Sequence, residues 1–213
     1  TTGEIGARYV AASGSSITAM HRWTDGVYPG QGGSLGSFID NKFTVRETEL
    51  SAAWIVSMRS TLNGRLTWID RRYDGFPALD FSGKNAELRY NWTPSGRLSV
   101  NASALRTLTP FFQLGSSYRA DNTYSIGPTW TISDKVTLSL SANRLVTDYL
   151  GRVLPVPGPQ RQDTTNSAQA SASWQAHPIL TLGASAVLSR RRSNFDQFDY
   201  NDATASVRAS LAF

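Results

Sequence analysis

Residues 203–213 read Ala-Thr-Ala-Ser-Val-Arg-Ala-Ser-Leu-Ala-Phe, an unbroken alternation of apolar and polar side chains. In extended backbone, successive side chains point to opposite sides. Ala203, Ala205, Val207, Ala209, Leu211 and Phe213 therefore share one face, and Thr204, Ser206, Arg208 and Ser210 share the other. The apolar face is thin and smooth, whereas a water-soluble sheet usually buries bulkier residues. The polar face is hydrophilic enough to be wet. A strand with one side for hydrocarbon and one for water, ending on an aromatic ring, is how outer-membrane β-barrels commonly finish.

The same alternation recurs upstream. Thr48, Leu50, Ala52, Trp54 and Val56 oppose Glu47, Glu49 and Ser51, and Leu62, Gly64, Leu66 and Trp68 oppose Asn63, Arg65 and Thr67. Ala86, Leu88, Tyr90 and Trp92 oppose Asn85, Glu87, Arg89 and Asn91, and Val136, Leu138, Leu140 and Ala142 oppose Thr137, Ser139, Ser141 and Asn143. Segments around 100–104, 168–174 and 182–188 follow suit, and less regular strands fall near 3–12, 15–24 and 114–131. The fold class is all-β: an antiparallel up-and-down transmembrane barrel with about eleven strands, most reaching the ~9–11 residues that cross a bilayer while tilted. No stretch approaches the ~20 apolar residues of a spanning helix. The mean hydropathy of −0.30 is no objection, because half of every barrel strand is polar.

Connections alternate in length. Short ones are expected at Ser13-Gly14-Ser15, 57–60, 94–96, 133–134 and 176–178, and longer ones at 25–41, 74–79, 109–113, 150–162 and 193–200, where Gly, Pro, Asp and Asn turn and solvate the chain. Each strand entering a short turn ends near an aromatic: Trp54, Trp92, Trp130, Trp174 and Phe213, the placement of an interfacial girdle. Core tryptophans of a soluble sandwich are the competing explanation, but they would not recur once per hairpin. The first strand must run down into a short turn, whereas bacterial barrels start and end on the periplasmic side with an even strand count. The expectation is that 1–213 is one domain forming the C-terminal part of a larger barrel, or that another copy supplies the missing edge. Thr1 in place of Met, with no signal peptide ahead of it, fits a processed or truncated chain.

Composition excludes several classes. There are no cysteines for disulfides or thiolate metal sites, and no metal-ligand spacing or glycine-rich phosphate loop calls for a cofactor. The 21 basic and 16 acidic residues are interspersed, without the concentrated patch that binds nucleic acid. The two histidines, His21 and His177, lack the nucleophile or carboxylate geometry of a hydrolase, so no enzyme is expected.

By parity the inward positions include Glu47, Glu49, Arg65, Asn85, Glu87, Arg89, Asn101, Asn143, Gln169 and Arg208, pore-lining candidates that set which solutes pass. Such residues also pair across strands simply to fill a lumen. Arg72, Arg106, Arg144 and Arg190 continue the lipid-facing rows at the upper ends of upward strands, where a guanidinium reaches lipopolysaccharide phosphates. A bulge would flip that parity and turn them into the lumen mouth.

Short motifs at matching order and spacing carry a family resemblance. They include Trp23-Thr24-Asp25-Gly26-Val27-Tyr28-Pro29, Ser60 through Trp68, Arg71-Arg72-Tyr73, Asp80-Phe81-Ser82-Gly83, Tyr90 through Gly96, Ile126 through Trp130, and Phe198-Asp199-Tyr200. Together they resemble the EpsL-type β-barrel porins of exopolysaccharide operons in Gram-negative bacteria, over the C-terminal half of a typical member. The resemblance implies an outer-membrane conduit for a secreted polysaccharide, with outer-membrane lipids, lipopolysaccharide and periplasmic export proteins as partners. The alternative is a structural or adhesive barrel with a plugged lumen, working through the loops at 25–41 and 150–162.

Overall fold

The computed structural model describes residues 1–27, 42–75, 77–113, 115–151 and 158–212. Phe213, Tyr28-Pro29 and much of the expected loops at 25–41 and 150–162 lie outside these residues. Eleven strands form one antiparallel sheet in chain order: β1 Thr2–Val10, β2 Ser16–Val27, β3 Lys42–Ser57, β4 Ser60–Tyr73, β5 Phe81–Ser95, β6 Leu98–Gln113, β7 Ser116–Ser133, β8 Val136–Leu150, β9 Gln162–His177, β10 Leu180–Ser193 and β11 Tyr200–Leu211. Most are longer than a crossing requires, so they project beyond the membrane. Among the described residues β1 and β11 are not paired with each other, and the sheet is open at these two edges.

Short turns and registers repeat. The hairpins β3–β4, β5–β6 and β7–β8 turn at Met58-Arg59, Gly96-Arg97 and Asp134-Lys135, each preceded by a serine. Ser57, Ser95 and Ser133 accept, through Oγ, the backbone N–H of Arg59, Arg97 and Lys135 at 3.2, 3.3 and 3.3 Å, a side-chain-closed turn. Each turn then accepts a bond from the next hairpin. Thr93 N–H donates to the Arg59 carbonyl, Thr131 N–H to Arg97 and Gln175 N–H to Lys135, all at 2.8 Å. Trp54, Trp92 and Trp130 recur with the same constant spacing as these serines, a hairpin repeat written into the chain.

One connection differs from expectation. Residues 109–113 are not a loop but the end of β6, paired with β7 as far as Gln113 opposite Ser116. Thr107, Thr109 and Phe111 favour extended backbone. Pro110 stands where the register shifts, a place where a strand tolerates a residue without an N–H.

β5 and β6 pair only from Ala86 opposite Arg106 down to the turn. Above that level the strands part, and Asn85 Oδ1 accepts the Leu108 N–H at 2.7 Å. A small core fills the gap: Phe81, Leu108 and Ala120 are buried, with Ile69, Tyr118 and Leu150 packed on them. Leu79, from the short 3-10 helix Pro77–Leu79, is buried beside this long-loop end. The sheet's apolar core thus lies at its rim, while the large hydrophobic residues of the span stay exposed.

Candidate lumen wall and lipid-facing rim

The register separates an apolar from a polar face through the span, with His21 and Thr48 paired on the apolar side and Val187 beside Gln169 on the polar side as departures. Leu62 stands opposite Trp54 and Tyr90, Ala102 opposite Tyr90 and Ile126, Ala170 opposite Leu140 and Ala186, and Ala205 opposite Ala186. Ile126, Leu140, Leu188 and Val207 are 52–85% exposed, which is unfavourable against water and natural against lipid. Trp54, Trp92, Trp130 and Trp174 sit on this face near the short turns. Trp23, Trp68 and Tyr124 stand on the same face nearer the long loops, a second aromatic level that sequence reasoning did not single out.

Glu47, Glu49, Arg65, Asn85, Glu87, Arg89, Asn101, Asn143, Gln169 and Arg208 all fall on the opposite, polar face. There the structure makes two distinct walls. Across β1–β5 the charges are paired. Arg22 bridges Glu4 at 3.2 Å and Glu47 at 3.4 Å, and Glu87 is held between Arg65 and Arg89. Thr67 Oγ1 donates to Glu49 at 3.4 Å, and Arg8 donates to Ser16 Oγ at 3.3 Å. A depression of about 420 Å³ opens over this network, lined by Arg8, Glu49, Arg65, Glu87 and Arg89 among others. Glu4, Arg8 and Arg22 were missed in the sequence because their partners lie on other strands and only the register reveals them.

Across β6–β11 the wall is mainly hydroxyl and amide, with Arg208 as a charge in the span and the Arg119–Asp121 pair at 3.0 Å nearer the long loops. Ser103 bonds Ser125 at 2.6 Å, Thr129 bonds Ser139 at 3.3 Å and Ser185 bonds Ser206 at 2.8 Å. Among the described residues Asn101, Asn143, Gln169 and Arg208 have no side-chain partner, so their donors and acceptors are open to the space they face. Asn85 differs from these, since its amide oxygen is committed to the β5–β6 gap.

The long-loop end carries a denser set. Asp163, almost fully buried, receives Arg161 at 2.8 Å and also pairs with Arg191. The Arg161 guanidinium lies 3.4 Å over the Phe198 ring and 4.6 Å over Tyr149. Asn194, just beyond β10, ties that strand's end to the start of β9 and the residues before it, accepting from Gln162 N–H at 2.9 Å and donating to the Gln160 carbonyl at 2.8 Å. Cations stacked on aromatics and a desolvated carboxylate make this a latch that holds the loop bases.

The four upper arginines keep the parity of the apolar rows, since no register shift intervenes between them and the span. Their surroundings differ. Arg72 is engaged by Asp70 at 3.0 Å and Asp80 at 3.4 Å. Arg106 donates to Asn122 Oδ1 at 2.8 Å, while Arg144 and Arg190 are exposed and unpaired among the described residues.

Residues 56–213 match the family described as "Putative beta-barrel porin 2". No curated protein matches the chain in sequence. Among solved structures, the outer-membrane channel DcaP of Acinetobacter baumannii is similar, with a TM-score of 0.65 and 12% identity, covering 99% of this chain and 62% of that one. The FrpB iron transporter from Neisseria meningitidis is similar at a TM-score of 0.62 and 12% identity, over 93% of this chain and 38% of that one. The ferripyoverdine receptor of Pseudomonas aeruginosa follows at 0.60 and 12%, over 99% and 35%. The chain therefore spans less than two thirds of the length of each of these proteins.

Proposed function

Because the chain belongs to this β-barrel porin family and is an outer-membrane channel protein by family and fold, we propose that its polar face forms the wall of a conduit for a secreted exopolysaccharide. The observation carrying this reading is the hydroxyl- and amide-lined wall of β6–β11. Ser, Thr, Asn and Gln side chains from six neighbouring strands offer many weak, uncharged hydrogen bonds at regular intervals. A polyhydroxylated polymer exchanges such bonds one for another as it moves, so it is solvated by the wall without being trapped there. The paired charges of β1–β5 give the opposite wall polarity with little net field, because Glu4–Arg22–Glu47 and Arg65–Glu87–Arg89 nearly compensate each other. Pore-lining roles are assigned on this basis to Asn101, Asn143, Gln169 and Arg208, with periplasmic export proteins delivering the polymer. The EpsL-type resemblance points to the same class of substrate.

The test is planar-bilayer recording of the complete protein with oligosaccharides of increasing length added to one side. The conduit reading expects an open channel whose current is interrupted by longer saccharides, with residence times lengthening as chain length grows. A barrel that does not conduct would refute it and favour the adhesive alternative with a plugged lumen.

A further inference from the structure

On the apolar face the strand pairings bring polar residues from six strands to one level. Arg106 stands opposite Asn122, Arg144 opposite Asn166, Asn166 opposite Arg190, and Arg190 opposite Asn201. Arg144 faces Tyr124, one residue pair below Asn122 on the same face of β7. Guanidinium and carboxamide therefore alternate from β6 to β11. The alternation is invisible along the chain, because each member lies on a different strand.

Height is the second element. In β7 and β9 the asparagines stand about eight residues above Trp130 and Trp174, which is about 20 Å along the membrane normal for a rise of ~3.3 Å and a tilt of ~40°. Arg46 and Lys84 stand at the same offset above Trp54 and Trp92. The row thus lies near the upper edge of the ~25 Å apolar band, where a long arginine side chain reaches the outer-leaflet headgroups.

Charge is the third. Arg144 and Arg190 are exposed with no acidic partner among the described residues, unlike Arg72 with its two carboxylates. A depression of about 470 Å³ opens beside Arg190, lined on this face by Asn166, Ala168, Leu188, Asn201 and Ala203. Asp202 also borders it, but its side chain belongs to the polar face and accepts from Thr204 Oγ1 at 3.3 Å. Arginines held against lipid without a protein counter-ion require an anion from the leaflet itself, and a planar fork suits phosphate.

We propose that this row is a binding lattice for the phosphorylated glycolipid of the outer leaflet, lipopolysaccharide. Arg106, Arg144 and Arg190 take its phosphates, and Asn122, Asn166 and Asn201 take sugar hydroxyls and amides between them. The acyl chains descend over the alanine-rich surface below. The inference does not depend on what passes through the lumen.

Native mass spectrometry of the complete protein in micelles tests it, with bisphosphorylated lipid A, its dephosphorylated form and phosphatidylglycerol as probes. The bisphosphorylated form is expected to be retained at least about tenfold better than either other lipid. In the R144Q/R190Q variant that retention falls at least about fivefold, while R208Q on the opposite face leaves lipid retention unchanged. Equal retention of dephosphorylated lipid A or of phosphatidylglycerol by the unaltered protein would overturn the proposal. So would undiminished retention by R144Q/R190Q. The lipid comparison on unaltered protein stands even if the variant folds poorly.

Discussion

Ala170 and Ser171 are consecutive in β9, and the register sends them to opposite faces: Ala170 beside Leu140 and Ala186, Ser171 beside Ser139 and Ser185. An arginine at each position in turn compares lipid with lumen at one depth. Ala170 lies midway between Trp174 and Asn166, so it sits near the bilayer midplane, about 13 Å along the strand from either. An outward arginine there costs about 2–4 kcal/mol, a factor of roughly 30 to 1,000 in the folding equilibrium. At Ser171 the neighbours are small hydroxyls facing the wetted side, and the cost is expected below about 1 kcal/mol. Urea titration of the complete protein in phospholipid vesicles, followed by tryptophan emission and heat-modifiable gel migration, reads both variants. The face assignment expects A170R to lose several-fold more stability than S171R. Equal losses, or the larger loss in S171R, would refute it.

Two other sites have defined costs. Gly151 has φ +67° and lies against Ser117 and Tyr118, so G151A strains the backbone and forces a methyl group onto Ser117 Oγ, costing about 1–3 kcal/mol in the same titration. Asp163→Asn leaves Arg161 and Arg191, with side chains only 18% and 25% exposed, without their shared carboxylate; about 2–4 kcal/mol is expected to be lost, and limited proteolysis should begin in the segment before β9.

The sheet was legible because its signal is local. Ala184 and Ala186 alternating with Gly183 and Ser185, or Trp92 three residues before Ser95, need no knowledge of any partner strand. Strand number, direction and face followed from that period of two. Residues 109–113 misled because Pro110 reads as a breaker, and only the register shift beside it shows how β6 accommodates the ring. The divergence of β5 from β6 has no periodic signature at all, since it rests on one Asn85–Leu108 bond and a core assembled from β4 to β8. The same limit hid Arg22 between Glu4 and Glu47, and the alternation of arginine with asparagine across β6–β11: both are properties of register. For the wall residues, parity gave the face of Asn101, Asn143, Gln169 and Arg208 but not that the structure leaves them unpaired.

Residues 1–213 contain no cysteine, so within them an introduced cysteine reports its own surroundings, read against the unaltered complete protein treated with the same reagent. The most direct test of the central account places one at Asn143 and one at its neighbour Ala142 in β8, then applies a water-soluble thiol reagent during single-channel recording of the complete protein. A hydrated lumen bounded by the polar face predicts that N143C is modified within the assay and reduces conductance, while A142C, facing lipid, neither reacts nor changes the current. Modification of A142C with N143C protected, or reaction at both without any change in conductance, would contradict the account.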